Sequence, residues 1–171
     1  MTTKFTDFKE SMTTKLTNFI QSQALAISFA DLDRLVVDLP ALREPFVKIP
    51  LHTYAYLADQ LEFLCLFVEE QVVRRSPDLA EEPVGEAAFV LLYYQWSTDL
   101  IPDSIPNLGL LDDAMIVSMA SRHQEQAFKG SSHAYMLRRP EPGFDIDQLL
   151  SVISPLRVSS FCWSLAPRPP A

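Results

Sequence analysis

The stretch Asp99-Leu100-Ile101-Pro102-Asp103-Ser104-Ile105-Pro106-Asn107-Leu108-Gly109-Leu110-Leu111-Asp112-Asp113 decides how the chain is read. Two prolines four apart and a glycine cannot sit inside a regular helix, because proline removes a backbone donor and glycine loosens the chain. This is a turn, and both its flanks are helical. Upstream, Ala87 to Tyr94 is an unbroken apolar run. With few β-branched residues and too great a length for an ordinary strand, it predicts a helix from about Val84 to Thr98. Downstream, Leu111, Ala114, Met115, Ser118, Met119 and Arg122 step by three and four, which predicts a helix from Leu110 to about Phe128. The centre of the chain, residues 85–128, is therefore a helical hairpin with a long, apolar, proline-stiffened turn.

The rest of the chain extends the helical pattern. From about Leu51 to Arg75, residues Tyr54, Leu57, Leu61, Leu64, Cys65, Val68 and Val72 share one face, and Phe63, Leu66 and Phe67 lie outside it. A helix apolar nearly all round belongs at the centre of a bundle. Glu69 and Glu70 are expected to return it to solvent, and Pro77 ends it. A further helix is expected to start at Ser28, capped by Ser28 and Asp31, to bury Phe29, Leu32, Leu35, Val36 and Leu39, and to end at Pro40. At the N-terminus, Phe5, Phe8, Met12, Leu16, Phe19 and Ile20 line one side of a Thr-rich helix of weak intrinsic propensity. After Gly130 a short helix is expected from Phe144 to about Val152, then an extended arm, Val158 to Leu165. The expectation is an all-α fold: a compact bundle of five to six helices around the apolar hairpin, with an irregular C-terminal arm. Residues 1–165 form one domain and 166–171 a frayed tail.

Composition narrows the function. The 171 residues carry a formal net charge of −8, with 14 Lys and Arg against 22 Asp and Glu, which argues against a general nucleic-acid binder. The four glycines lie too far apart for a P-loop or a dinucleotide-binding turn. The N-terminal residues lack the apolar core of a secretory signal, and no apolar run approaches the ~20 residues of a spanning helix. Cys65 and Cys162 then read as reduced thiols, and the expected location is the cytoplasm.

One constellation is suited to chemistry. Asp99, Asp103, Asp112 and Asp113 gather at the turn among apolar neighbours. Together they can hold a hard cation such as Mg²⁺, Mn²⁺ or Ca²⁺, which prefers oxygen ligands. Alternatively, Asp103 serves the turn while Asp112 and Asp113 occupy the first turn of the following helix, where negative charge is favoured. A contact to another protein is the third reading. His123 is eleven residues beyond Asp112, about 16 Å along a helix, too far to share one metal ion with it. His52 and His133 show no ligand spacing and read as solvated or locally capped. No nucleophile motif is present, so no catalytic residue and no organic cofactor are expected.

The turn resembles the YkvA-like family, a bacterial domain of unknown function with the pattern D-L-I-P-D-x-I-P-x-L-G-x-L-D-D. Asp99, Leu100, Ile101, Pro102, Asp103, Ile105, Pro106, Leu108, Gly109, Leu111, Asp112 and Asp113 all fit. The resemblance covers residues 85–120 and implies a helical hairpin without an assigned reaction. Family members are often strongly apolar, and the resemblance carries a suspicion of membrane association that is not the favoured expectation for this chain. Here Trp96-Ser97 replaces the usual Ser-Pro, and Ser104 and Asn107 make the turn more polar.

The leading functional expectation is an interaction or scaffold protein without catalytic activity. It would contact a protein partner, or another copy of itself, through apolar terminal segments, with Phe5, Phe8, Phe19, Phe161 and Trp163 as contacts. The alternatives are a metal-binding protein or metal-dependent enzyme using Asp99, Asp103, Asp112 and Asp113, and a peripheral membrane protein.

Overall fold

The computed structural model describes residues 2–50, 54, 56–74, 81–95 and 110–136, with side chains over 13–50, 54, 56–74, 83–95 and 110–135. The chain divides into one unit, Met1–Pro140, and a second, Glu141–Ala171, which lies outside the described residues. The expected short helix at 144–152 and the extended arm at 158–165 fall in that second unit.

The first unit is all-α. Its helices are α1 (Thr2–Ala24), α2 (Phe29–Arg43), α3 (Leu57–Arg74), α4 (Glu81–Gln95), α5 (Leu111–His123) and the short α6 (Glu125–Lys129). Single 3₁₀ segments follow α2 (Glu44–Lys48) and α6 (Ala134–Met136), and no strand occurs among the described residues. None of these helices is long and apolar enough to cross a membrane.

α4 is the hub, packing on α1, α2, α3 and α5. From Pro83 to Leu91 every residue is buried, which a helix tolerates only when neighbours cover all its sides. α3 follows the same logic, with Leu61, Phe63, Leu64, Cys65 and Val68 fully enclosed. In α5 the ten residues Leu111–Ala120 are all buried. Aromatic rings lock the layers. Phe19 of α1 meets Phe89 of α4 edge-on at 5.4 Å, and Phe46 meets Tyr94 at 5.5 Å. Phe128 of α6 packs against Phe63 and Phe67 of α3 at 5.3 and 4.8 Å.

α2 opens with the capping box expected from Ser28 and Asp31. The Ser28 hydroxyl accepts from the Asp31 N–H and the Asp31 carboxylate accepts from the Ser28 N–H, an arrangement worth about 1 kcal/mol. Pro40 does not end this helix, which continues to Arg43. The missing donor removes one hydrogen bond, whereas Leu39 and Leu42 on either side of it are buried and hold the helix on its course. Phe29, expected inside, is exposed.

α3 begins at Leu57 rather than near Leu51. Glu69 and Glu70 do not simply face solvent. Arg43 donates through its fork to both Glu69 oxygens, at 3.1 and 3.0 Å, and through Nε to Glu62 at 3.1 Å, fastening the end of α2 to α3. Glu70 accepts from the Ser131 hydroxyl at 2.7 Å and pairs with Arg74. The helix expected to reach Phe128 breaks at Gln124, where the backbone turns to φ −100° and ψ 18° and α6 starts afresh. The change of direction brings Phe128 onto the α3 aromatics.

Candidate functional site

The hairpin presents two polar clusters. At the start of α5, Asp112 and Asp113 are 4% and 3% exposed. The N-cap of α5 is Leu110, which supplies no side-chain cap, and Asp112 and Asp113 stand in the first turn, where negative charge is favoured. The Tyr93 hydroxyl near the end of α4 donates to Asp112 Oδ2 at 2.7 Å, bridging the two arms of the hairpin. Tyr54, also buried, has its phenol pushed above its ordinary pKa, first by burial and then by the charges of Asp112 and Asp113. Two tyrosines and two carboxylates thus share one buried region.

Asp99 and Asp103 lie outside the described residues, so the structure brings together Asp112 and Asp113 from the four carboxylates expected to act jointly. Among the described residues no group of three or more His, Cys, Asp or Glu is placed to hold a metal ion. Of the expected partner contacts, Phe19 is half-buried against Phe89 inside the molecule. The side chains of Phe5 and Phe8 are not among those described, and Phe161 and Trp163, like Cys162 and His52, fall outside the described residues.

The second cluster joins three helices. Glu86 of α4 is entirely buried, and its Oε1 lies 2.8 Å from His123 Nδ1 at the end of α5. On the other side of the imidazole, Gln21 Nε2 of α1 lies 3.2 Å from His123 Nε2. A carboxylate only accepts, so a hydrogen bond to Glu86 requires a proton on His123 Nδ1. The Gln124 side-chain nitrogen lies 3.1 Å from that same Nδ1 and, being a donor, cannot bond to it while Nδ1 donates to Glu86. Among the described residues Glu86 Oε2 has no hydrogen-bond partner. Sequence reasoning passed over this cluster. Its signal was Glu86 as the single acid in Val84-Gly85-Glu86-Ala87-Ala88-Phe89, but its partners are 37 and 65 residues away along the chain.

His133, expected to be solvated or locally capped, contacts Ser132 at 3.2 Å and reaches Glu70 at 3.4 Å. Glu70 is held below the ordinary carboxylate range: burial opposes this, but the hydrogen bonds from Ser131 and Ser132 and the charge of Arg74 prevail. Cys65 is buried, and its thiol is pushed up to about 12, chiefly by burial. It therefore offers no thiolate at neutral pH.

Residues 84–119 match the model of a family described as a protein of unknown function, DUF1232. This is the YkvA-like resemblance read from the turn, and it extends over that part of the chain. The DUF1232 segment includes Gly85, Glu86, Tyr93, Asp112 and Asp113, and stops four residues before His123. α1, α2, α3 and α6 all lie outside it. No curated protein and no solved structure matches the chain.

Proposed function

We propose that the chain is a helical interaction module that works by binding a protein partner rather than by catalysis, in the reducing environment of the cytoplasm. The observation that carries this reading is a set of large apolar side chains left in solvent at the end of α1 and along α2: Leu25 is 82%, Phe29 67% and Val37 78% exposed. In a domain that encloses α4 and most of α5, such exposure marks surface available to a partner, with the aromatic ring as anchor. The proposed contact thus centres on the α1–α2 corner. The test compares the wild-type chain with Leu25→Ser/Phe29→Ser/Val37→Ser in quantitative cross-linking and light scattering. A partner or second copy held by wild type and lost by a variant of unchanged melting temperature supports the reading. Equal recovery by both chains removes it.

A second reading is favoured by the adjacent burial of Asp112 and Asp113 beside Tyr54 and Tyr93. With Asp99 and Asp103 close in sequence, this end of the hairpin is suited to Mg²⁺, Mn²⁺ or Ca²⁺. Calorimetry with each metal decides it. Heat of binding that disappears in Asp112→Asn supports a metal site, and no heat at millimolar metal removes it.

A further inference from the structure

We infer that α1 is a detachable helical strap, fastened by the Glu86–His123–Gln21 clasp, and that the surface it covers on α4 and α5 accepts a helix of the same chemistry in trans. The inference does not depend on the partner reading above.

Three observations converge on it. First, α1 is poorly supported as a helix in its own right. It is rich in threonine, with no acidic residue in its first turn and no basic residue in its last, so its helicity depends on docking. Second, its docked face is specific. Leu16, Ile20 and Ala24 are buried, Phe19 meets Phe89, and Gly85 leaves room for the Ala24 backbone. This spacing of four is the pattern of a helix seated in a groove. Third, among the described side chains a polar connection sets its register. Gln21 is bonded to an imidazole whose other nitrogen is committed to a buried carboxylate.

The clasp is built so that its outer half can open alone. Glu86 and His123 join α4 to α5 and remain paired whether or not Gln21 is present. His123 is 38% exposed at its side chain, so water can replace the Gln21 amide at Nε2 as α1 leaves. The DUF1232 match begins at Val84. It contains the hairpin that forms the groove and excludes the strap that fills it, so in this chain α1 is an intramolecular ligand of the shared segment.

The experiment uses the full chain. Hydrogen exchange is followed in wild type, Gln21→Ala and His123→Ala, and a labelled peptide of residues 2–24 is titrated onto each by fluorescence anisotropy. Loss of one exposed hydrogen bond in Gln21→Ala is expected to speed exchange of the α1 amides of Leu16, Ile20 and Ala24 by about five-fold. The α3 amides of Leu61, Leu64 and Val68 should stay within about two-fold of wild type. Peptide affinity should rise by the same factor as α1 opening, since the groove is free for that fraction of time. His123→Ala should speed α1 exchange at least as much but leave peptide affinity close to wild type, because the peptide's own Gln21 loses the same contact. That substitution also strips the partner from Glu86, and if it fails to fold, Gln21→Ala, which leaves that pair intact, carries the test. Uniform acceleration across α1 and α3, unchanged exchange, or, in Gln21→Ala, faster α1 exchange without tighter peptide binding each overturns the proposal.

Discussion

A β-carbon added at Gly85 would stand 2.8 Å from the Ala24 carbonyl oxygen, 3.4 Å from its carbonyl carbon and 3.5 Å from its Cβ. The first distance is roughly half an ångström inside ordinary contact. The clashing atom is backbone, and it already accepts from the Ile27 N–H at 3.1 Å, so it cannot rotate away as a side-chain tip would. Gly85→Ala must therefore push α1 from α4. Two terms oppose each other. Alanine is favoured over glycine within a helix by about 1 kcal/mol. Overpacking between two helices costs about 1–3 kcal/mol, and the retreat also loosens Phe19 against Phe89 and Gln21 against His123. The net expectation is a loss of ~1–2 kcal/mol, and for a chain of this size a melting temperature lower by about 2–8 °C. Urea denaturation followed by circular dichroism measures the first, and calorimetry the second. A Gly85→Ala protein as stable as wild type, or more so, refutes the close approach of α1 and α4 at this point, because helix propensity would then be the only term acting.

Tyr93→Phe removes the donor to Asp112 Oδ2 while keeping the ring, and should cost about 1–3 kcal/mol in urea denaturation, because it withdraws a hydrogen bond from a buried carboxylate. Glu70 makes stability depend on acid. Since its folded-state pKa lies below its unfolded value, its contribution is present above the unfolded pKa and disappears as pH falls through the folded one. Ser131→Ala should accordingly be less stable than wild type at neutral pH and converge with it in acid. A gap that stays constant with pH would show that Glu70 titrates normally. In a Cys162→Ser background, Cys65 should resist a thiol reagent at pH 8 until the chain is denatured, because its thiol lies at about 12 and is buried. Modification at the rate of a free peptide thiol would contradict that burial.

What could be read directly from the sequence is what depends on local spacing. The presence of the two hairpin helices, the apolar circumference of α3 and the Ser28–Asp31 capping box depend on residues three to eight apart and occur, although α4 already begins at Glu81 and α5 stops at His123. The errors came where a distant residue overrides a local signal. Pro40 carries a strong stop signal, but Leu39 and Leu42 are buried in the bundle and the helix runs through it. Gln124 carries no stop signal at all, yet α5 ends there and Phe128 joins aromatics more than sixty residues away. At the hairpin, Asp112 and Asp113 were recognisable from the turn motif, while Tyr54 and Tyr93 were not, since nothing near either tyrosine announces a carboxylate neighbour. Glu86 was hidden for the same reason. A lone acid in an apolar run signals a buried charge, but which base answers it is decided by how α4 and α5 align.

The placement of these two clusters also bears on why the matched segment is so short relative to the chain. α4 and α5 have no solvent face over most of their described lengths. Two such helices cannot form a stable unit by themselves, because an apolar hairpin of fewer than ~40 residues leaves too much of its surface in water. It must be covered, and here α1, α2 and α3 do so. The covering helices meet the hairpin mostly through shape and apolar contact, which many sequences can satisfy. The polar groups inside the hairpin are less replaceable, because removing one partner strands another in a low-dielectric interior. Tyr93 with Asp112 ties the arms together near the turn, and Glu86 with His123 ties α4 to the far end of α5. Variation should therefore fall more freely on the cover than on these residues, with one exception. Gln21 belongs to the cover but engages the inner clasp, so its replacement should alter how firmly α1 is held without altering the hairpin beneath it.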